Sequence, residues 1–197
     1  MKHEGWDSRD RAHGITERQG SLLRLYEELL GTVALPRGMV AASDAPRLWS
    51  RHIVDGLRGA PLVSSRAALA YDLGSGAGLP GIPIAVARPE LTVVLAEHRR
   101  SRAAFLEFVV RELALPNVQV HVGRAEDLSP GADACFARAF RRPRECWRIA
   151  EPLLAQHGAL LYWAGSRSEI YVEGPSIEAF FTPELADVGP IVMMTRQ

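Results

Sequence analysis

The chain has 197 residues, of which 47% are hydrophobic and 23% charged, and its formal net charge at pH 7 is +0. These values are typical of a globular domain with a short appendage and exclude a disordered chain. No apolar run approaches the length of a membrane span, and the balanced charge does not indicate a polyanion-binding protein as a whole.

The N-terminal third is predicted to be helical after a polar start. Residues 1–20 lack the apolar core of a secretion signal and are predicted to be a flexible arm, which makes a cytoplasmic protein the expectation. Residues 21–66 are predicted to be a helical extension, because apolar residues recur at helical spacing over residues 18–33. Asp44 is predicted to cap a second helix that ends near Arg58.

Residues 67–197 alternate between strand-like and helix-like segments, which predicts an α/β core built on a parallel sheet with right-handed crossovers. The predicted strands are 68–73, 91–96, 118–122, 132–137 and 159–163. The predicted helices are 80–88, 99–115 and 143–154. Beyond Gly165, the segments 176–181 and 189–195 are predicted to form an antiparallel hairpin at the edge of the sheet, joined by a segment that contains Pro183.

The turn after the first predicted strand is the most informative feature of the chain. The strand ends in Asp72, and Gly74, Gly76 and Gly78 follow at alternate positions. Glycine allows a tight strand-to-helix turn and lets a ligand approach the backbone closely. A dinucleotide fingerprint has its third glycine where this chain has Leu79. The pattern therefore favours a nucleoside-type cofactor without a pyrophosphate, and S-adenosylmethionine is the leading candidate.

Further candidate ligands follow the later strands, whose carboxyl ends meet at one edge of the sheet. Glu97 is predicted to accept hydrogen bonds from ribose hydroxyls, a position that fits nicotinamide cofactors equally well. Ala125 is small enough to lie against an adenine, and Glu126 would accept a hydrogen bond from its amino group. Arg138 would bind a cofactor carboxylate or, alternatively, pair with Glu126. Phe140 would stack on a base or belong to the core.

The remaining reactive side chains indicate structural roles. Cys135 lies in a predicted strand and Cys146 in a predicted helix, so both are predicted to be buried free thiols. Two cysteines make neither a disulfide framework nor a zinc site, and no metal is expected. His52, between Arg51 and an apolar residue, is predicted to be structural rather than catalytic.

Several stretches between residues 47 and 165 share a pattern with one known family. The shared stretches are 48–55, 72–85, 88–89, 102–106, 123–126, 138–140 and 152–154. Within them, the run Gly78-Leu79-Pro80-Gly81 distinguishes this family from methyltransferases at large. On these residues the chain resembles the RsmG family, formerly GidB, of ribosomal RNA guanine-N7 methyltransferases.

The resemblance implies an α/β fold: a class I S-adenosylmethionine-dependent methyltransferase (Rossmann-like) sheet with an N-terminal helical extension. The implied cofactor is S-adenosyl-L-methionine, and the implied partner is 16S ribosomal RNA or the small ribosomal subunit. The cofactor contacts implied by the resemblance are Gly74, Leu79, Ala125, Glu126 and Arg138. The glycine turn and the general methyltransferase pattern add Asp72, Gly76, Gly78 and Glu97. The residues predicted to bind substrate are Arg51, His52 and Phe140.

Two departures from the family keep alternatives open. The family lysine after strand five is absent from Trp163-Ala164-Gly165, and the region that follows is short. The alternatives are a methyltransferase of the same fold that acts on a small molecule, and a nucleotide-binding module without catalysis. Guanine N7 carries a lone pair and no proton, so its methylation needs placement rather than a general base. No catalytic residue is therefore predicted.

Overall fold

The computed structural model describes residues 14–165, 170–182 and 188–197. Within these residues one seven-stranded sheet has the order β3-β2-β1-β4-β5-β7-β6. The strands are β1 (Leu69–Leu73), β2 (Thr92–Glu97), β3 (Val118–Val122), β4 (Ala132–Arg138), β5 (Leu154–Trp163), β6 (Ser176–Phe180) and β7 (Ile191–Thr195). Strands β1 to β5 pair in parallel, and β7 runs antiparallel to β5 and β6. The strand order reverses between β1 and β4, which is where open α/β sheets bind ligands.

Helices cover both faces of this sheet. They are α1 (Glu17–Leu29), α2 (Asp55–Leu57), α3 (Gly81–Ala87), α4 (Arg100–Glu112) and α5 (Pro143–Ala150). Apolar residues of α1, α3 and α4 pack in one core, and those of α5 pack in a second core on the opposite face. Both cysteines are free and buried, as predicted. The α/β class with parallel pairing and a helical N-terminal region is confirmed.

Helix α1 begins at Glu17, inside the segment predicted to be an arm. Thr16 and Gln19 form a capping box, which satisfies backbone N–H groups at the start of the helix. The Gln19 amide also donates to the carbonyl of Val86, at 2.8 Å, near the end of α3. Residues 1–13, which make up most of the predicted arm, lie outside the described part of the chain.

The prediction of one helix over residues 44–58 was wrong. The chain instead makes a 3-10 turn at Ala42–Arg47, a π-helical segment at Leu48–Val54 and then the single turn α2. Pro46 has no N–H for a regular ladder. Asp44 does not cap a helix, because its carboxylate is turned inward and binds side chains of the same segment.

The last predicted helix is shorter than expected, also because of a proline. Helix α5 ends at Ala150 rather than at Leu154, because Pro152 cannot continue the backbone ladder and lies in a short 3-10 turn. Strand β5 consequently starts at Leu154, earlier than the predicted Ala159.

The predicted antiparallel hairpin at the sheet edge is confirmed by the pairing of β6 with β7. Strand β7 is the one that lies beside β5. Residues 183–187, which include Pro183 of the connecting segment, fall outside the described residues, as do residues 166–169.

Candidate functional site

The turn between β1 and α3 has the backbone that its glycines predict. The φ angles are 71° at Gly74, 60° at Gly76 and 97° at Gly78. All three lie in the left-handed region, which other residues enter only at a cost. The turn closes on itself through the Gly78 N–H, which donates to the carbonyl of Ser75 at 2.7 Å. Because these three residues have no side chains, a ligand can approach the backbone of the turn closely at the carboxyl edge of the sheet.

Two buried side chains form hydrogen bonds to the backbone of the turn and of the helix start that follows it. The Tyr26 hydroxyl donates to the carbonyl of Ala77 at 2.7 Å. The Asp72 carboxylate accepts a hydrogen bond from the Gly81 N–H at 3.1 Å. Asp72 is only 1% exposed, and this burial raises its pKa to about 7. Sequence reasoning missed Tyr26 as a site residue, because its helical spacing indicates only a core position.

Glu97 fixes the turn from the neighbouring strand. It ends β2 and is only 2% exposed. One carboxylate oxygen accepts the Gly76 N–H at 3.1 Å, and the other accepts the Arg99 N–H at 2.8 Å. Nδ1 of His98 also lies 3.3 Å from one oxygen and Nη1 of Arg102 4.0 Å from the other, so only part of the acceptor capacity of this carboxylate remains for a ligand.

Two hollows adjoin at the carboxyl edge and share Gly74. We call the first, of about 130 Å³, the small hollow. The small hollow is lined by Gly74, Ala96, His98, Gly123, Arg124, Ala125, Glu126, Phe140 and Arg141. The second, of about 360 Å³, is the large hollow. The large hollow is lined by Met39, Val40, Ala41, Asp44, Arg51, His52, Gly74, Ser75, Gly76, Ala77, Leu79, Arg102, Arg138 and Ala139.

The structure brings most of the predicted site residues to these two hollows. Those at the large hollow are Gly74, Gly76, Leu79, Arg138, Arg51 and His52. Those at the small hollow are Gly74, Ala125, Glu126 and Phe140. Asp72, Gly78 and Glu97 line neither hollow: Gly78 belongs to the turn itself, whereas Asp72 and Glu97 accept backbone N–H groups from Gly81 and Gly76. The three residues predicted to bind substrate are thus divided, with Phe140 apart from Arg51 and His52.

This division results from the backbone at Ala139. Its φ is 51°, an unusual value for a residue other than glycine. The left-handed kink separates Arg138, which lines the large hollow, from Phe140, which lines the small one. Such strained positions cluster at functional sites. The sequence places Ala139 in the stretch 138–140 shared with the family but does not predict its left-handed backbone.

Arg138 does not pair with Glu126, the alternative that the sequence left open. Its Nε lies 3.3 Å from a carboxylate oxygen of Asp55. Its Nη2 donates to the carbonyl of Arg51 at 3.0 Å and to Nδ1 of His52 at 2.9 Å. Across the part of the chain that the structure describes, no such contact involves Nη1. One edge of the guanidinium is therefore available to a ligand in the large hollow.

His52 is enclosed by charged partners. Its Nε2 lies 3.1 Å from a carboxylate oxygen of Asp44, and its Nδ1 faces Arg138. Burial, reinforced by the positive charge of Arg138, lowers the pKa of His52 to about 4. The imidazole is therefore neutral at physiological pH and engaged at both nitrogens.

The described ranges show neither a candidate membrane span nor a candidate metal site. No helix there has the length and apolar character required to traverse a bilayer. Nor do three or more His, Cys, Asp or Glu side chains gather there in a way that would hold a metal ion.

Solved structures match the fold of this chain. A putative S-adenosyl-L-methionine-dependent methyltransferase from Methanococcus maripaludis has a TM-score of 0.61 at 12% identity, over 99% of this chain and 98% of that one. A SAM-dependent methyltransferase from Aquifex aeolicus has a TM-score of 0.58 at 14% identity, over 78% of this chain and 95% of that one. The class I methyltransferase fold predicted from the sequence is thereby confirmed.

Relatives found by sequence have higher identities to this chain than the solved structures do. A ribosomal RNA small subunit methyltransferase G from Thermobifida fusca is 40% identical over 83% of this chain and 70% of its own length. A protein of the same name from Sorangium cellulosum is 33% identical over 98% of this chain and 87% of its own length. The family model described as rRNA small subunit methyltransferase G matches residues 19–184. This chain therefore belongs to the GidB family, as its motifs predicted.

Proposed function

We propose that this protein transfers a methyl group from S-adenosylmethionine to N7 of a guanine in 16S ribosomal RNA. The observation that carries the proposal is the convergence of the left-handed glycine turn, Glu97 and Arg138 at adjoining strand ends. Membership of the GidB family supports the ribosomal substrate, which would place the protein in the cytoplasm.

The two hollows suit the two halves of this cofactor. We assign the adenine to the small hollow, where Ala125 leaves room and Phe140 offers a ring face. Glu97 would accept the ribose hydroxyls with its remaining lone pairs. Nη1 of Arg138 would bind the carboxylate at the other end. When bound, S-adenosylmethionine supplies an electrophilic methyl group.

The chemistry of the large hollow suits an acceptor that has no proton to lose. The carboxylate of Asp44 lies within ion-pair distance of Arg51 and binds His52, whose second nitrogen faces Arg138. None of the imidazole and carboxylate groups that line the described wall of this hollow is therefore a free general base. Guanine N7 attacks through its lone pair, so the contribution of the protein is placement and exclusion of water.

The rim of the large hollow suits a nucleic-acid substrate. The side chains of Arg51 and Arg102 are 39% and 30% exposed there, so each can reach a phosphate while keeping its acidic neighbour. Phosphate contacts of this kind position a nucleic acid, whereas contacts to the base select it. The base itself would have to be unpaired or extruded to enter.

The test is methyl transfer to small ribosomal subunits from cells that lack this modification. Subunits are incubated with the protein and methyl-labelled cofactor, and the nucleosides are analysed by mass spectrometry. We expect labelled N7-methylguanosine, with none from a Gly76→Val variant. Cofactor binding without transfer to RNA would overturn the proposal in favour of a small-molecule substrate. Absence of cofactor binding would favour a nucleotide-binding module.

A further inference from the structure

We propose that His52, held by Asp44, is a positioning residue that directs the guanidinium of Arg138 toward the carboxylate of the cofactor. The proposal rests on the function proposed above only in that Arg138 binds this carboxylate. It assigns a role in cofactor selection to the N-terminal segment, which contributes His52 and Asp44 from outside the sheet.

The hydrogen-bonding capacity of the partners fixes the tautomer of His52. A guanidinium has only donors, so Nδ1 of His52 must accept from Nη2 of Arg138 across 2.9 Å. A carboxylate has only acceptors, so Nε2 must carry the proton and donate to Asp44 across 3.1 Å. Asp44 thus keeps the lone pair of Nδ1 turned toward Arg138.

The same contacts restrict the rotation of Arg138. Asp55 lies beside Nε at 3.3 Å, and the carbonyl of Arg51 shares Nη2 with His52. Asp55 is itself held by Nη1 of Arg58 at 2.6 Å. Partners on Nε and Nη2 occupy two sides of the planar group. The remaining edge, with Nη1, has no such partner among the described residues, and Arg138 lines the large hollow.

Charge and burial agree with this assignment. His52 is 8% exposed, and its lowered pKa keeps it neutral beside the arginine. A protonated imidazole would present an N–H to the guanidinium and repel it. A neutral acceptor instead leaves the positive charge of Arg138 available to an anionic ligand.

Two substitutions separate the two hydrogen bonds of His52. In His52→Asn the side-chain oxygen occupies the place of Nδ1, so it keeps an acceptor for Arg138 and loses the donor to Asp44. In His52→Gln the amide reaches the place of Nε2, so it keeps the donor to Asp44 and loses the acceptor for Arg138. His157→Gln, at an exposed site on β5, is the matched control.

Two ligands separate positioning from folding. S-adenosylhomocysteine carries the amino-acid carboxylate, whereas 5′-methylthioadenosine lacks it and retains the adenosine. Isothermal titration gives the dissociation constant of each ligand for each variant. A residue with a merely structural role would affect both ligands alike, and binding of 5′-methylthioadenosine shows that the site is folded.

We expect His52→Gln to weaken S-adenosylhomocysteine binding by about 5-fold to 10-fold and 5′-methylthioadenosine binding by less than about 2-fold. His52→Asn and His157→Gln should leave both constants within about 2-fold of the wild type. In turnover, His52→Gln should raise KM for the methyl donor with little change in kcat. Equal effects of His52→Gln on both ligands, or no effect on either, would overturn the proposal.

The Arg138→Ala variant tests the assigned carboxylate site separately from the positioning role of His52. We expect this variant to weaken S-adenosylhomocysteine binding by about 10-fold to 100-fold and to spare 5′-methylthioadenosine. If Arg138→Ala does not discriminate between the ligands, the assigned carboxylate site is wrong and the role of His52 falls with it. If Arg138→Ala discriminates and His52→Gln does not, the positioning role alone is refuted.

Discussion

The hydroxyl of Tyr26 donates a 2.7 Å hydrogen bond to the carbonyl of Ala77 and joins helix α1 to the glycine turn, 51 residues further along the chain. Tyr26 is fully buried, and its burial raises its phenolic pKa well above the ordinary value. The hydroxyl is therefore a neutral donor at physiological pH. The turn depends on a side chain that belongs to the N-terminal segment.

Removing this hydroxyl tests the dependence. Tyr26→Phe keeps the ring packing and leaves the carbonyl of Ala77 without its donor. We expect a loss of about 1–2 kcal/mol of unfolding free energy in urea titrations and weaker binding of S-adenosylhomocysteine. Tyr171→Phe, at a residue that is 85% exposed, should change neither quantity. A Tyr26→Phe variant with wild-type stability would show that the bond contributes nothing.

Gly76 tests the backbone of the turn. Its φ is 60°, a value that costs a β-branched residue about 1–2 kcal/mol. An added side chain would also project into the open space of the large hollow, where a Cβ at Gly76 meets no atom closer than 3.9 Å, so Gly76→Val should abolish S-adenosylhomocysteine binding in titration calorimetry while far-UV circular dichroism shows a folded protein. Gly14→Val introduces similar strain at a φ of 67° outside both hollows and should retain binding. Unchanged affinity in Gly76→Val would refute the assigned site.

Glu97 is expected to contribute to the binding of both S-adenosylhomocysteine and 5′-methylthioadenosine, whereas Arg138 contributes to the first alone. In Glu97→Gln one oxygen is replaced by an amide donor, which would face a backbone N–H of Gly76 or Arg99. We expect about 10-fold weaker binding of S-adenosylhomocysteine and of 5′-methylthioadenosine, because both carry the ribose. The exposed Glu112→Gln is the control. An effect confined to one ligand would contradict a ribose contact.

The raised pKa of Asp72 predicts that the stability of the protein depends on pH. Burial raises its pKa from 3.8 to about 7. Between these values the folded protein keeps a proton that the unfolded chain has lost, so this residue stabilises the fold at low pH and less as the pH rises toward 7. Asp72→Asn keeps an oxygen for the Gly81 N–H and cannot ionise.

The comparison is made by thermal unfolding of both proteins from about pH 5 to about pH 8. We expect the melting temperature of Asp72→Asn, relative to the wild type, to rise across this range. Parallel curves would mean that Asp72 does not titrate there. Asp133→Asn is a control, because its carboxylate also accepts backbone N–H groups, in this case those of Ala68 and Leu69.

The fold and the strand-end residues were predictable because their signals are local. Alternating strand and helix patterns determine a parallel sheet, and the sheet then brings Glu97, Ala125 and Arg138 to one edge. The glycine turn was predictable for the same reason, since its backbone angles depend on residue type at successive positions.

The partners of these residues were not predictable, because they depend on packing between distant segments. Arg138 and His52 are 86 residues apart, and nothing in either local sequence specifies their contact. The division between the hollows follows from one backbone angle at Ala139, where the residue type favours a different conformation. The irregular helix after Ala41 likewise combines Pro46, which cannot donate to a regular ladder, with a buried Asp44 whose partners are side chains of the same segment.

The anchoring of α1 onto α3 through Gln19 bears on how small a working fragment of this protein can be. A fragment cut at residue 67 would retain every strand and look complete in a topology diagram. It would nevertheless lack one wall of the large hollow, together with Asp55, which pairs with Arg138. The side-chain anchors, rather than the strands, set the minimal ligand-binding unit, which must include helix α1 with its Thr16 cap.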